Sequence, residues 1–184
     1  MPKLSHVECD AVRSIVELDL DGIGPSLRIG HTPARSFGNI NWPYAASCSE
    51  FRCILEGKSA ALAAQCRDAR LRAAITTRRK AMDAAALRGE PGIEKDIAFH
   101  SAIAKASENR YLILTISALM KQTRTAIRVV RELSPQPLMH RWRDVRALHM
   151  RIDEAIAARD HAAARKAMTQ HLCSGIARLF PRKG

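Results

Sequence analysis

Asp96, His100, His149 and His171 are the residues of this chain whose types and spacing point to chemistry. Carboxylate oxygen and imidazole nitrogen together make a donor set for a divalent transition metal. Asp96 and His100 lie four apart in IEKDIAFHSAIAKAS, so a helix carries both on one face, a single turn apart. His149 falls between Val145 and Ile152, and His171 between Met168 and Gly175 beside Leu172, on the apolar stripes of two later helical stretches. A buried carboxylate or imidazole without a partner is costly, so four inward polar groups must satisfy one another, bond to backbone or water, or hold an ion. For a lone inward histidine the ordinary explanation is a hydrogen-bonded core residue. Three with an aspartate shift the balance toward a metal.

Positioning such a set needs helices, and helical periodicity dominates after residue 48. The pattern predicts a first helix near 49–65 with Phe51, Ile54, Leu55, Ala61 and Leu62 on its inner face. A second is expected from Asp68 as N-cap to Leu87, stopping at Gly89, and GEPG then breaks the chain. A third runs from Pro91 or Gly92 to Ser107, and a fourth from Asn109 to Glu132 with Leu112, Ile116, Leu119, Thr123, Ile127 and Val130 inward. After SPQP, a fifth covers 138–158 with Trp142, Val145, Leu148, Ile152 and Ile156 inward. Asp160 caps a sixth over 161–179, carrying Ala164, Met168, Leu172 and Ile176. Short links such as QCRD, SEN and ARD favour antiparallel neighbours, so the expected fold is all-α, an antiparallel bundle of about six helices. Residues 1–48, rich in Gly, Pro and Asn, read as a separate irregular segment and 49–184 as the helical domain.

At 184 residues there is room for one sizeable core. Five cysteines without a CxxC spacing argue against a disulfide framework and fit a reducing compartment, with most of them read as plain buried thiols. With no apolar run of about eighteen residues and no secretory pattern at MPKLSHVECD, the expectation is a cytoplasmic protein without a membrane span. The formal charge of +12 invites a nucleic-acid reading, but residues 1–48 carry four bases against five acids, a net of −1. The excess is spread over several helices, with knots at Arg78, Arg79, Lys80 and at Arg141, Arg143, Arg146, which read as solvated faces.

Three stretches in order resemble the effector-binding FCD domain of the FadR-like branch of the GntR transcriptional regulators. RCILEGKSAALAA is similar to that family's opening helix. DIAFHSAIAKASENRYL is similar to its central D-x-x-F-H signature followed by an asparagine, and LHMRIDEAIAARDHAAARKAMTQHL to its closing helix pair. The resemblance covers about residues 49–178. It implies a dimeric, ligand-responsive regulator whose helical domain binds a metal through Asp96, His100, His149 and His171 and, against the metal, a carboxylate metabolite. It further implies that Arg52 meets the effector carboxylate and that Asn109 stands near the pocket. The residues themselves allow plainer roles: Arg52 can pair with Glu56 across a helical turn, and Asn109 can cap the fourth helix. No winged helix-turn-helix pattern is recognisable in residues 1–48, which puts DNA binding by this chain in doubt.

Mixed nitrogen and oxygen ligation suits zinc, nickel, iron or manganese, with zinc first by availability. Four protein ligands close a tetrahedral site, whereas five- or six-coordinate geometry leaves room for an anion. The leading reading is a metal-dependent sensor of a small organic acid with no chemistry of its own. The alternative is a metal-dependent hydrolase built on a helical bundle. Against that alternative stand the absence of HExxH and of a carboxylate clearly placed as general base, with Glu94 and Glu108 the nearest candidates.

Overall fold

The computed structural model describes residues 42–90, 92–133 and 138–179. They form six helices: α1 (Trp42–Gln65), α2 (Ala69–Leu87), α3 (Ile93–Ala106), α4 (Arg110–Leu133), α5 (Leu138–Ala157) and α6 (His161–Leu179). There is no strand among the described residues, so the all-α expectation holds. The irregular segment expected over 1–48 lies, as far as residue 41, outside the described residues, and so does the question of a helix-turn-helix there. α1 starts seven residues ahead of its expected position near 49. Pro43 is compatible with that start, because a proline in the first turn removes only an N–H that has no intrahelical acceptor.

The helix ends follow local chemistry. Asp68 Oδ1 accepts from the Arg70 amide at 2.8 Å, and Asp160 Oδ1 from the amides of Ala162 and Ala163 at 3.1 and 2.9 Å. Each satisfies backbone donors that a helix N-terminus leaves orphaned. α2 closes with Gly89 at φ +71, where the Glu90 amide bonds the Ala85 carbonyl and the Gly89 amide that of Ala86. These two bonds are the paired pattern of a Schellman stop, and glycine adopts the left-handed backbone without steric cost. α5 ends in the same way on Arg159 at φ 60, with the Asp160 amide on Ala155 and the Arg159 amide on Ile156.

The main core joins Ala60 and Ala63 of α1, Ile75 of α2, Phe99 and Ile103 of α3, Ile152 and Ile156 of α5, and Ala164 and Met168 of α6. A smaller cluster seats α4 through Ile116 and Met120 against Ala104 of α3, with Leu55 of α1 beside it. Alanine at so many α1 and α6 positions lets those two helices approach closely. The contact is tight at Gly57, where an added Cβ would stand 3.0 Å from Thr169 Oγ1. Gly57→Val is therefore expected to lose about 1–3 kcal/mol of stability through overpacking. Urea unfolding reads this loss directly, and Thr169→Ala should recover part of it.

Three expectations are corrected. Phe51 and Ile54, expected on the inner face of α1, are 46% and 64% exposed. The inward stripe of α1 is instead Arg52, Glu56, Ser59, Ala60 and Ala63. A periodicity count that scores only apolar residues rotates such a helix wrongly when charged residues point inward. Arg79, read as part of a solvated basic knot, is mostly enclosed: its Nε lies 2.7 Å from Asp153 Oδ2 and its Nη1 2.7 Å from Asp83 Oδ2. Thr76 Oγ1 donates to the other oxygen of Asp153 at 2.7 Å, so this network ties α2 to α5. The cysteines also depart from expectation, since Cys66 is buried but Cys48, Cys53 and Cys173 are half-buried.

Candidate metal centre

Four helices converge on the polar interior of the bundle. α3 contributes Asp96 from its first turn and His100 one turn later, α5 contributes His149 and α6 His171, and all four side chains are buried. One ligand atom from each lies within 4.8 Å of the others. His149 Nε2 stands 3.2 Å from His171 Nε2 and 3.3 Å from Asp96 Oδ1. The three imidazole rings cluster with centroids 4.3 to 5.7 Å apart, and Phe99 packs against His149 at 4.9 Å to wall the cluster on one side.

α1 supplies the support. Glu56 Oε2 lies 2.5 Å from His100 Nδ1, and Glu56 Oε1 accepts from Arg52 Nε at 2.6 Å. Burial alone would raise the Glu56 carboxyl, but the Arg52 guanidinium and the His100 imidazole outweigh it and hold it at about 2. The group is thus a carboxylate at neutral pH. A carboxylate there fixes the proton of His100 on Nδ1 and leaves the Nε2 lone pair for another partner. His100 Nε2 is buried and has no hydrogen-bond partner.

That orphaned nitrogen is the local observation against which a metal can be tested. A cation about 2.1 Å from each ligand atom spans ligand pairs of about 3.0–3.4 Å, between right-angle and tetrahedral geometry. Two of the separations, 3.2 and 3.3 Å, fall in that range, and the four atoms together lie within 4.8 Å, so a slight inward turn of the wider-spaced side chains closes them on one ion. Two ring nitrogens facing each other across 3.2 Å also suit a shared cation. The donor set of three nitrogens and one oxygen matches zinc, nickel, iron or manganese better than calcium or magnesium. These residues fit a divalent transition metal.

The two residues expected at an effector have other engagements. Arg52 is buried and spends its Nε on Glu56. Asn109 is exposed, and its Oδ1 accepts from the amides of Tyr111 and Leu112 at 3.0 and 3.2 Å, which is an N-cap of α4. Sequence reasoning missed the link from Glu56 to His100. Its only advance signal was a glutamate one turn after an arginine in an otherwise alanine-rich helix.

The FCD domain family model matches residues 48–173. This chain belongs to the FCD domain family. Among solved structures, Streptococcus agalactiae GntR superposes on this FCD domain with a TM-score of 0.60 at 22% identity. The match covers 76% of this chain and 60% of that one, so the chain spans about three fifths of the length of the protein it resembles. At this identity the likeness establishes a shared fold. A comparison with curated proteins finds no match.

Proposed function

We propose that this FCD domain is the metal-dependent sensing domain of a GntR/FadR-type transcriptional regulator, responding to a small organic acid. The observation that carries the reading is the buried Asp96, His100, His149 and His171 cluster with an unpartnered His100 Nε2 at its edge. Asp96, His100, His149 and His171 hold the cation, zinc by preference, and Glu56 orients His100. Arg52 and Glu56 cancel in charge, so Asp96 against a divalent ion leaves about one unit of positive charge in a low-dielectric interior. A carboxylate entering a free coordination position neutralises it. The site senses and does no catalysis.

Signalling then follows from unequal binding of the acid to two arrangements of the bundle or of a homodimer. DNA contact belongs to whatever reader segment accompanies the domain. No helix among the described residues is long and apolar enough to cross a membrane, which agrees with a cytoplasmic regulator.

The test is elemental analysis of the purified protein combined with a thermal-shift screen of small carboxylates. Near-stoichiometric metal is expected, and at least one carboxylate at 100 times its Kd should stabilise by about 2.7 kcal/mol. His149→Ala should lose both the metal and the carboxylate response. Retention of the response in a metal-free His149→Ala protein would remove the metal from the sensing mechanism.

A further inference from the structure

Cys53 of α1 and Cys173 of α6 stand 120 residues apart in sequence, yet their Sγ atoms are 3.9 Å apart. Both are half-buried, and neither belongs to the metal cluster. Their approach has an architectural cause. Cys53 is one helical turn before Gly57 on α1, and Cys173 is one turn after Thr169 on α6, the register of an antiparallel pair. At Gly57 the two helices pack tightly enough that an added Cβ would stand 3.0 Å from Thr169 Oγ1. Helices packed this way bring the two sulfurs to 3.9 Å, from which a disulfide of about 2.05 Å needs the two side chains to turn toward each other.

We propose that Cys53 and Cys173 form a redox pair, which a small-molecule disulfide oxidises to an intramolecular bridge between α1 and α6. The thiolate of one cysteine attacks a sulfur of the small disulfide, forming a mixed disulfide and expelling one small thiolate. The second cysteine thiolate then attacks the protein sulfur of that mixed disulfide and expels the other. The protein loses two electrons and two hydrogens, and the small disulfide becomes two thiols. The shared S–H···S hydrogen bond, with burial, pushes the Cys53 thiol up, so the exchange is slow and is read at equilibrium.

The bridge would staple the helix bearing Glu56 to the helix bearing His171, two residues before Cys173. It would close a loop that contains Asp96, His100, His149 and His171. The inference stands apart from the metal reading, because its readouts are a covalent bond and a melting temperature.

The full chain is incubated to equilibrium with glutathione disulfide, its remaining thiols are alkylated under denaturing conditions, and the crosslink is mapped by mass spectrometry of peptides. The expected product is a monomer lacking two hydrogens, with the peptides of Cys53 and Cys173 joined. Its melting temperature should rise by about 5–15 °C over the reduced protein, since the closed loop is long. Cys48→Ser should form the same bridge, whereas Cys53→Ser and Cys173→Ser should each abolish it. Both cysteines remaining alkylatable would overturn the proposal, as would a bridge to Cys9, Cys48 or Cys66. A Cys53–Cys173 bridge that lowers the melting temperature would also overturn it, because it would show the seam to be strained by the link.

Discussion

Removing divalent metal with a chelator is expected to lower the melting temperature of this protein by about 10–20 °C, and restoring zinc should recover it. The buried cluster is the reason: Asp96 and three imidazoles are held in the interior, and His100 Nε2 has no partner of its own. A cation that binds only the folded chain stabilises by about 4 kcal/mol when its free concentration is 1,000 times its Kd. For a domain of this size each kcal/mol moves the midpoint by a few degrees. The gap between metal-bound and metal-free protein should also depend on pH, with a definite sign. Burial would lower the His100 pKa, but the Glu56 carboxylate outweighs it and raises it above the usual imidazole value. In the metal-free protein that proton contributes stability below the unfolded value of about 6.5, and the contribution fades as pH rises through the folded value. Coordination needs the proton gone, so metal affinity rises over the same window. The chelator-induced drop should therefore be small near pH 5 and large near pH 8. A drop independent of pH would count against imidazole ligation.

Glu56→Ala should be the most damaging single substitution outside the ligands themselves. Glu56 bonds His100 Nδ1 through one oxygen and Arg52 Nε through the other, and it is buried. Removing it leaves the Arg52 guanidinium buried without its anion, at a cost of about 3–5 kcal/mol. It also frees the His100 ring to rotate and change tautomer, which should weaken metal binding by about 10–100-fold. Urea unfolding measures the first effect and competition against a chromogenic chelator the second. The double variant Glu56→Leu with Arg52→Met separates them. Replacing a buried ion pair with apolar residues of similar volume should recover much of the stability, but the metal affinity should stay low. Wild-type metal affinity in Glu56→Ala would mean that Glu56 serves the helix packing alone.

The spacing of Asp96 and His100 and the apolar contexts of His149 and His171 were legible because they are local. A helix places residues four apart on one face whatever surrounds it, and an apolar stripe forecasts which face is inward. The same locality made the element ends readable, with Asp68, Gly89, Asn109 and Asp160 all placed where the backbone needs a cap or a left-handed residue. Helix rotation is another matter. Phe51 and Ile54 look like core residues in the string, but α1 turns Arg52 and Glu56 inward because a buried imidazole on α3 is there to meet them.

Contacts across long separations were decided only by packing. Glu56 and His100 are 44 residues apart, Cys53 and Cys173 are 120, and Arg79 and Asp153 are 74. No periodicity encodes such a pair, since each depends on which neighbour a helix chooses and at what depth it slides. Sequence alone determined the helices, their ends apart from the start of α1, and the four candidate ligands. Tertiary structure decided that Glu56 supports His100, that Arg52 is spent on Glu56, and that two thiols meet where a glycine lets α1 and α6 touch. The physical reason is that side-chain period and capping act within a turn or two of chain, whereas burial and charge pairing act between surfaces that exist only after the helices have packed.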